Sequence, residues 1–143
     1  MIIALDVGTK TIGVARSHGV AFAEPWFTLA RAGVAKDVAQ LAQRLRAARP
    51  TQVVVGLPLE LDGAEGRSCR LARQVGEALA AATGWPVAYQ DERWSTLEAA
   101  DRLHATGWSA RDQKSQIDAA AAAVILEAWL RVQAGPSGGP GQG

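Results

Sequence analysis

Asp6 closes a short apolar run, MIIAL, and is followed at once by a tight glycine turn, VGTKTIGVA. Five apolar residues followed by Asp and a glycine turn read as a buried strand. An ionised carboxylate at its end is costly unless it is hydrogen-bonded, paired or held by a metal. Two further acids, Asp91 and Glu92, end a second strand-like segment, PVAYQDE, and Asp118 lies on a late, alanine-rich helix. At about 100° per residue Ala122, Ile125 and Trp129 share the face of Asp118, while Glu127 and Arg131 lie opposite. The carboxyl ends of strands in an α/β sheet are where ligands bind, so two strand-end acids and one inward-facing helix acid could converge there. Like charges gathered in one place require a cation. Hard carboxylate oxygens with no Cys or His cluster suit Mg²⁺ or Mn²⁺ rather than Zn²⁺. His18 and His104 are isolated and read as surface residues.

Taken singly, each acid has a plainer reading. Asp6 could be a turn former bonding its own backbone. Asp118 stands three residues after Ser115 and could be the acidic member of a capping arrangement in the first turn of the helix. Asp91 or Glu92 could form an ordinary surface pair with Arg93, worth little.

The elements that must position these residues follow from period and punctuation. TIGVARS alternates as a second strand, and AFAEPWFTL reads as a third, placed near an edge by Pro25; together with the first they predict an antiparallel meander. Val34, Val38, Leu41, Leu45 and Ala48 recur at helical steps, and Pro50 stops that helix. TQVVVG is a β-branched run typical of a central parallel strand, opening into GLPLELDG. Leu71, Val75, Leu79 and Ala82 mark a helix from Glu65 to Thr83, with Arg67, Arg70 and Arg73 near its start and Gly84 at its end. After the fifth strand, Ser95 and Glu98 form a capping box for a helix to Thr106. GWSARDQK reads as a loop, with Ser115 capping a last helix that runs to about Ala134. The expectation is one α/β domain over residues 1–134, a five-stranded mixed sheet with helices on its faces, then a Gly/Pro tail over 135–143 that reads as disordered.

At 143 residues there is room for one core without disulfide staples, and the single cysteine, Cys69, fits a reducing compartment. A formal charge of +1 supplies no electrostatic footprint for nucleic acid. Twelve arginines against three lysines could serve bidentate phosphate contacts or reflect only a GC-rich coding bias, the plainer reading; Arg67, Arg70, Arg73 and Arg93 are those available for phosphates. The N-terminus lacks the pattern of a secretory signal, and AAAAAVIL is too short to span a bilayer, so no membrane partner and a cytoplasmic location are expected. Of the five tryptophans, Trp94 and Trp108 lie in loops near the converging acids, where they could stack bases; the rest read as core or interface.

LDVGTKTIGVA, VVVGLPLELDG, DERWST and KSQIDAAAAAVIL, in this order and spacing, resemble the four signature blocks of the YqgF/RuvX family of RNase H-like nucleases. The resemblance covers the chain up to its Gly/Pro tail; the loop block departs in reading LELDG, where many members carry Asn or Met before DG. It implies an RNase H-like fold and metal-dependent cleavage of a phosphodiester. The implied catalytic and metal-binding acids are Asp6, Glu92 and Asp118, with Asp91 the alternative to Glu92. The implied substrate contacts are Thr9 and Lys10 beside the scissile phosphate, Arg93, Ser95 and Thr96 on flanking phosphates, Lys114, and Gly56 and Pro58 in the loop block. The substrate would be precursor 16S ribosomal RNA, to be trimmed at its 5′ end, or a branched DNA such as a Holliday junction. A resolvase would be a C₂ dimer, whereas an RNA-processing enzyme need not be. Two other readings compete: an ATPase of the actin or sugar-kinase type, whose first phosphate loop DVGTKTIGVA also resembles, and a nucleic-acid-binding scaffold without catalysis. The first needs a second domain that this length does not supply, and the presence of all three acids argues against the second.

Overall fold

The structure, a computed structural model, describes residues 1–18, 22–59, 63, 65–91 and 110–134, without the side chains of 110–116 and 134. Its strands arise where the sequence alternates or runs β-branched between breakers: β1 (Ile2–Val7), β2 (Thr11–Ser17), β3 (Glu24–Ala30), β4 (Gln52–Leu57) and β5 (Val87–Asp91). They form one sheet in the order β3-β2-β1-β4-β5. The first three strands are the expected antiparallel meander, β4 runs parallel to β1, and β5 runs parallel to β4. Pro25 lies on β3, which among the described residues pairs only with β2 and so needs no donor on its outer side.

The parallel pairings require crossovers, and amphipathic helices supply them. Helix α1 (Val34–Leu45) continues into a 3₁₀ turn at Arg46–Ala48, and α2 (Arg67–Thr83) ends on Gly84, whose φ of 77° takes the left-handed C-cap that favours glycine. The final helix, α3, runs from Ala110 to Ala134. Its start differs from expectation: Ser115 does not cap it, and Ala110–Lys114 is helix rather than loop. The segment misleads because Ser115 and Asp118 mimic a capping pair. Residues Ala119 to Leu126 are also buried on every side, so no polar-apolar stripe marks the true beginning. The helix expected between Ser95 and Thr106 and the Gly/Pro tail lie outside the described residues.

The sheet separates two apolar layers of different character. On one face Ile3, Leu5, Val7, Ile12, Val14, Val53, Val55 and Leu57 meet Val38, Leu41 and Leu45 of α1 and Val75 and Leu79 of α2. On the other, Ala4, Ala15 and Val54 meet Ala122, Ala123, Ile125 and Leu126 of α3. Strand alternation produces this division, since successive side chains point to opposite faces. Among the described residues no helix is long and apolar enough to cross a membrane.

Candidate active site

Asp6 has the parity of Ile2 and Ala4, which pack on the α3 side, and so belongs to the face that α3 covers. Its register partner on β2 is Gly13, and Gly13 is where α3 comes closest: a Cβ there would overlap the backbone carbonyl of Asp118. A glycine is required at this point for the helix backbone to reach the sheet. The Thr11 hydroxyl, on the same face of β2, donates a hydrogen bond to Oδ2 of Asp118. Asp6 and Asp118, 112 positions apart in sequence, are thereby brought to one face at the carboxyl end of β1. With α3 beginning at Ala110, Asp118 lies beyond its first turn, which removes the capping explanation for this acid.

The reversal between β1 and β2 is tight. The Gly8 amide donates to the Thr11 carbonyl at 2.8 Å, leaving Thr9 and Lys10 as the exposed loop residues. It is held from beneath by Arg31, which donates to the Gly8 carbonyl at 2.9 Å and to Oδ2 of Asp37 at 2.6 Å. The other oxygen of Asp37 accepts from the Ala32 amide at 2.8 Å. Asp37 is fully buried and the Arg31 side chain only 10% exposed; removing either partner would strand a buried charge at a cost of about 3–5 kcal/mol. Sequence reading missed this pair. The available signal was that Asp37 stands three residues after Val34 and four before Leu41, on the apolar stripe of α1.

The donor set fits a hard divalent cation. Asp6 and Asp118 offer carboxylate oxygens, Cys69 is buried in the opposite layer, and His18 is exposed beyond the far end of β2. Among the described residues no group of three His, Cys, Asp or Glu side chains forms by itself; Glu92 lies outside them. Asp91, the last residue of β5, has the parity of Val87 and Tyr89, which pack on the α1/α2 layer, and is therefore on the other face from Asp6.

A family model described as "RuvX: Holliday junction resolvase" matches residues 1–132. The chain belongs to the RuvX family. Relatives include proteins named "Putative pre-16S rRNA nuclease" from Anaeromyxobacter dehalogenans strain 2CP-C, 48% identical over 90% of this chain and 94% of that protein. Another, from Yersinia pestis strain Pestoides F, is 42% identical over 94% of this chain and 96% of its own length. Among solved structures, Thermus thermophilus RuvC in complex with Holliday junction substrate superposes with a TM-score of 0.56 at 18% identity, covering 92% of this chain and 96% of that one. The fowlpox virus resolvase with its Holliday junction DNA gives 0.55 at 9%, covering 90% and 95%. These likenesses identify the fold as RNase H-like.

Several other residues of the RuvX resemblance can be placed. Gly56 is not in the loop: it is buried within β4, paired with Gln90, on the α3 face one step beyond the Leu5–Val55 pair. Pro58 follows the strand directly. Lys114 is on the second turn of α3. Arg73 is not available for phosphate, because it makes two bonds, at 2.8 and 2.6 Å, to Glu65. Arg93, Ser95, Thr96, Trp94 and Trp108 lie outside the described residues. Trp26, Trp85 and Trp129 are partly buried against the two cores.

Proposed function

We propose that this RuvX-family protein is a metal-dependent endonuclease whose site is the carboxyl edge of the sheet on the α3 side, with precursor 16S ribosomal RNA as its substrate. The observation that carries the proposal is the meeting of Asp6 and Asp118 across Gly13. The names of the relatives support the RNA substrate, and a domain-length match to a nuclease family weighs against the ATPase and scaffold readings.

Asp6 and Asp118 would hold the ions, and Glu92 is the third ligand we assign. Parity supports Glu92 over Asp91, since the residue after Asp91 on a continuing strand returns to the face of Asp6. Bound by these acids, divalent Mg²⁺ or Mn²⁺ would supply an activated water and stabilise the leaving oxygen. The chain's own contribution is positional. Thr11 fixes one carboxylate oxygen of Asp118, leaving the other lone pairs for a cation, and Gly13 fixes the depth of α3. The exposed Thr9–Lys10 reversal presents a hydroxyl and an ammonium to the phosphate beside the scissile bond. Arg93, Ser95, Thr96 and Lys114 are assigned to flanking phosphates, and Gly56 and Pro58 shape the neighbouring strand end. With such a substrate the protein would act in the cytoplasm.

The family description favours a four-way DNA junction as the second reading, and that activity would require a two-fold dimer. The test is cleavage of a precursor 16S RNA fragment and of a four-way junction, each with Mg²⁺, Mn²⁺ or EDTA. Wild type should cut in metal only and Asp6→Asn should fall to background. Cleavage in EDTA, or an Asp6→Asn protein of normal activity, would sink the assignment.

A further inference from the structure

A cleft of about 730 Å³ opens on the α1/α2 side of the sheet, and Thr9, Arg31, Arg67, Ser68, Arg70 and Gln74 line it. Thr9 belongs to the reversal three residues after Asp6, so the cleft begins where the acid edge ends. Its charge is one-sided. Among the described residues neither Arg67 nor Arg70 makes a salt bridge, while the nearby carboxylate of Glu65 is engaged by Arg73. Two arginines and no acid occupy the first turn of α2, the reverse of the order that the helix dipole favours. The positive charge there works against the helix, which points to a role outside it. Arg31 also lines the cleft, but its guanidinium is engaged by Asp37 and the Gly8 carbonyl, so the charge available there is that of Arg67 and Arg70.

We propose that this cleft is a second phosphodiester subsite, on the far side of the Thr9–Lys10 reversal from the acids, in which Arg67 and Arg70 grip the substrate backbone a short way from the scissile bond. The proposal rests on the nuclease reading of the acid edge. Guanidinium forks suit phosphate oxygens bidentately, and the hydroxyls of Thr9 and Ser68 and the amide of Gln74 are the side chains that complete such backbone contacts. A strand held at both places crosses the exposed reversal, which orients it over Asp6 without any base being read. The chemistry recognised is the sugar-phosphate chain of RNA or of DNA.

The experiment measures binding of a single-stranded RNA oligonucleotide and of a four-way DNA junction across a salt series. It uses the Asp6→Asn protein, so that nothing is cut, with and without Arg67→Gln/Arg70→Gln. Losing two phosphate contacts should flatten the slope of log K against log[salt] by about 1.4 on single-stranded RNA or about 1.8 on duplex arms. Affinity should fall alike for different base sequences. A charge-matched control, Arg46→Gln/Arg131→Gln at the opposite end of the molecule, should change the slope by less. A flattening seen in one arm alone identifies the source of the strand, and in both arms shows that backbone alone is read. An unchanged slope in Arg67→Gln/Arg70→Gln, or an equal change in the control, overturns the subsite while leaving the acid edge untouched. Absence of binding by either probe overturns the subsite as well. Conversely, wild-type cleavage that survives Asp6→Asn defeats the nuclease reading even if the slopes change.

Discussion

The two faces of the sheet are built on opposite principles. Toward α1 and α2 the strands present Ile, Leu and Val, and the layer is filled by volume. Toward α3 they present Ala4, Gly13 and Ala15 beside Val54, and the helix answers with Ala122 and Ala123 beside Ile125 and Leu126. The first arrangement maximises apolar area removed from water, worth about 25 cal/mol per Å². The second forgoes area to let two backbones approach, and the acids sit there. If the site we propose is right, stability and chemistry are separable in this fold, one on each side of a single sheet.

Substitutions on each side can break or sharpen that contrast. Leu79→Ala, in the fully buried α2 layer, should cost about 2–5 kcal/mol of unfolding free energy while leaving Mn²⁺ affinity unchanged, as denaturant melts and calorimetric titration would show. Gly13→Ala should cost less stability, about 1–3 kcal/mol for an overpacked site, yet weaken Mn²⁺ binding, because α3 must shift and carries Asp118 with it. If Leu79→Ala were the variant that lost metal, the separation would be wrong. Thr11→Val removes only a hydroxyl; by analogy with residues that orient metal ligands, metal affinity should fall about 10–100-fold at nearly constant melting temperature, with Thr11→Ser restoring it.

The smallest effect lies at the rim of the α2 side. The Arg73 guanidinium bonded to Glu65 holds that carboxyl below its ordinary value of 4.5. Its contribution is therefore complete above the unfolded value and is lost as pH falls through the lower folded one. Wild type and Glu65→Gln should differ slightly in Tm at neutral pH and converge in strong acid, a difference kept small by full exposure to solvent.

Much of this was legible in the sequence where local rules and tertiary environment agree. Val53–Val55 announces a strand buried on both faces, and the Asp6–Gly8 punctuation announces the reversal after β1. The α3 start is hidden for a physical reason: Ala119–Leu126, buried all round, carry no stripe, and Ser115 and Asp118 inside the helix imitate a cap. Gly13 was visible only as part of a resemblance, since no local pattern tells a glycine that admits a helix backbone from one that merely weakens a strand. The Arg31–Asp37 pair was concealed because its members join different elements across a glycine. The site residues beyond Asp91 rest on the family pattern and on strand parity.

The Thr11–Asp118 contact spans 107 positions, and this has a consequence for how the protein comes into being. The β1–β2 hairpin and the crossovers through α1 and α2 form from segments that precede β5 in the sequence, whereas Asp118 arrives only with α3 and must close the long loop back to Thr11. A chain halted at β5 carries Asp6 on the sheet face that α3 has not yet covered. Completion of the proposed site is thereby tied to the docking of α3, so that activity would report a sheet covered on both faces.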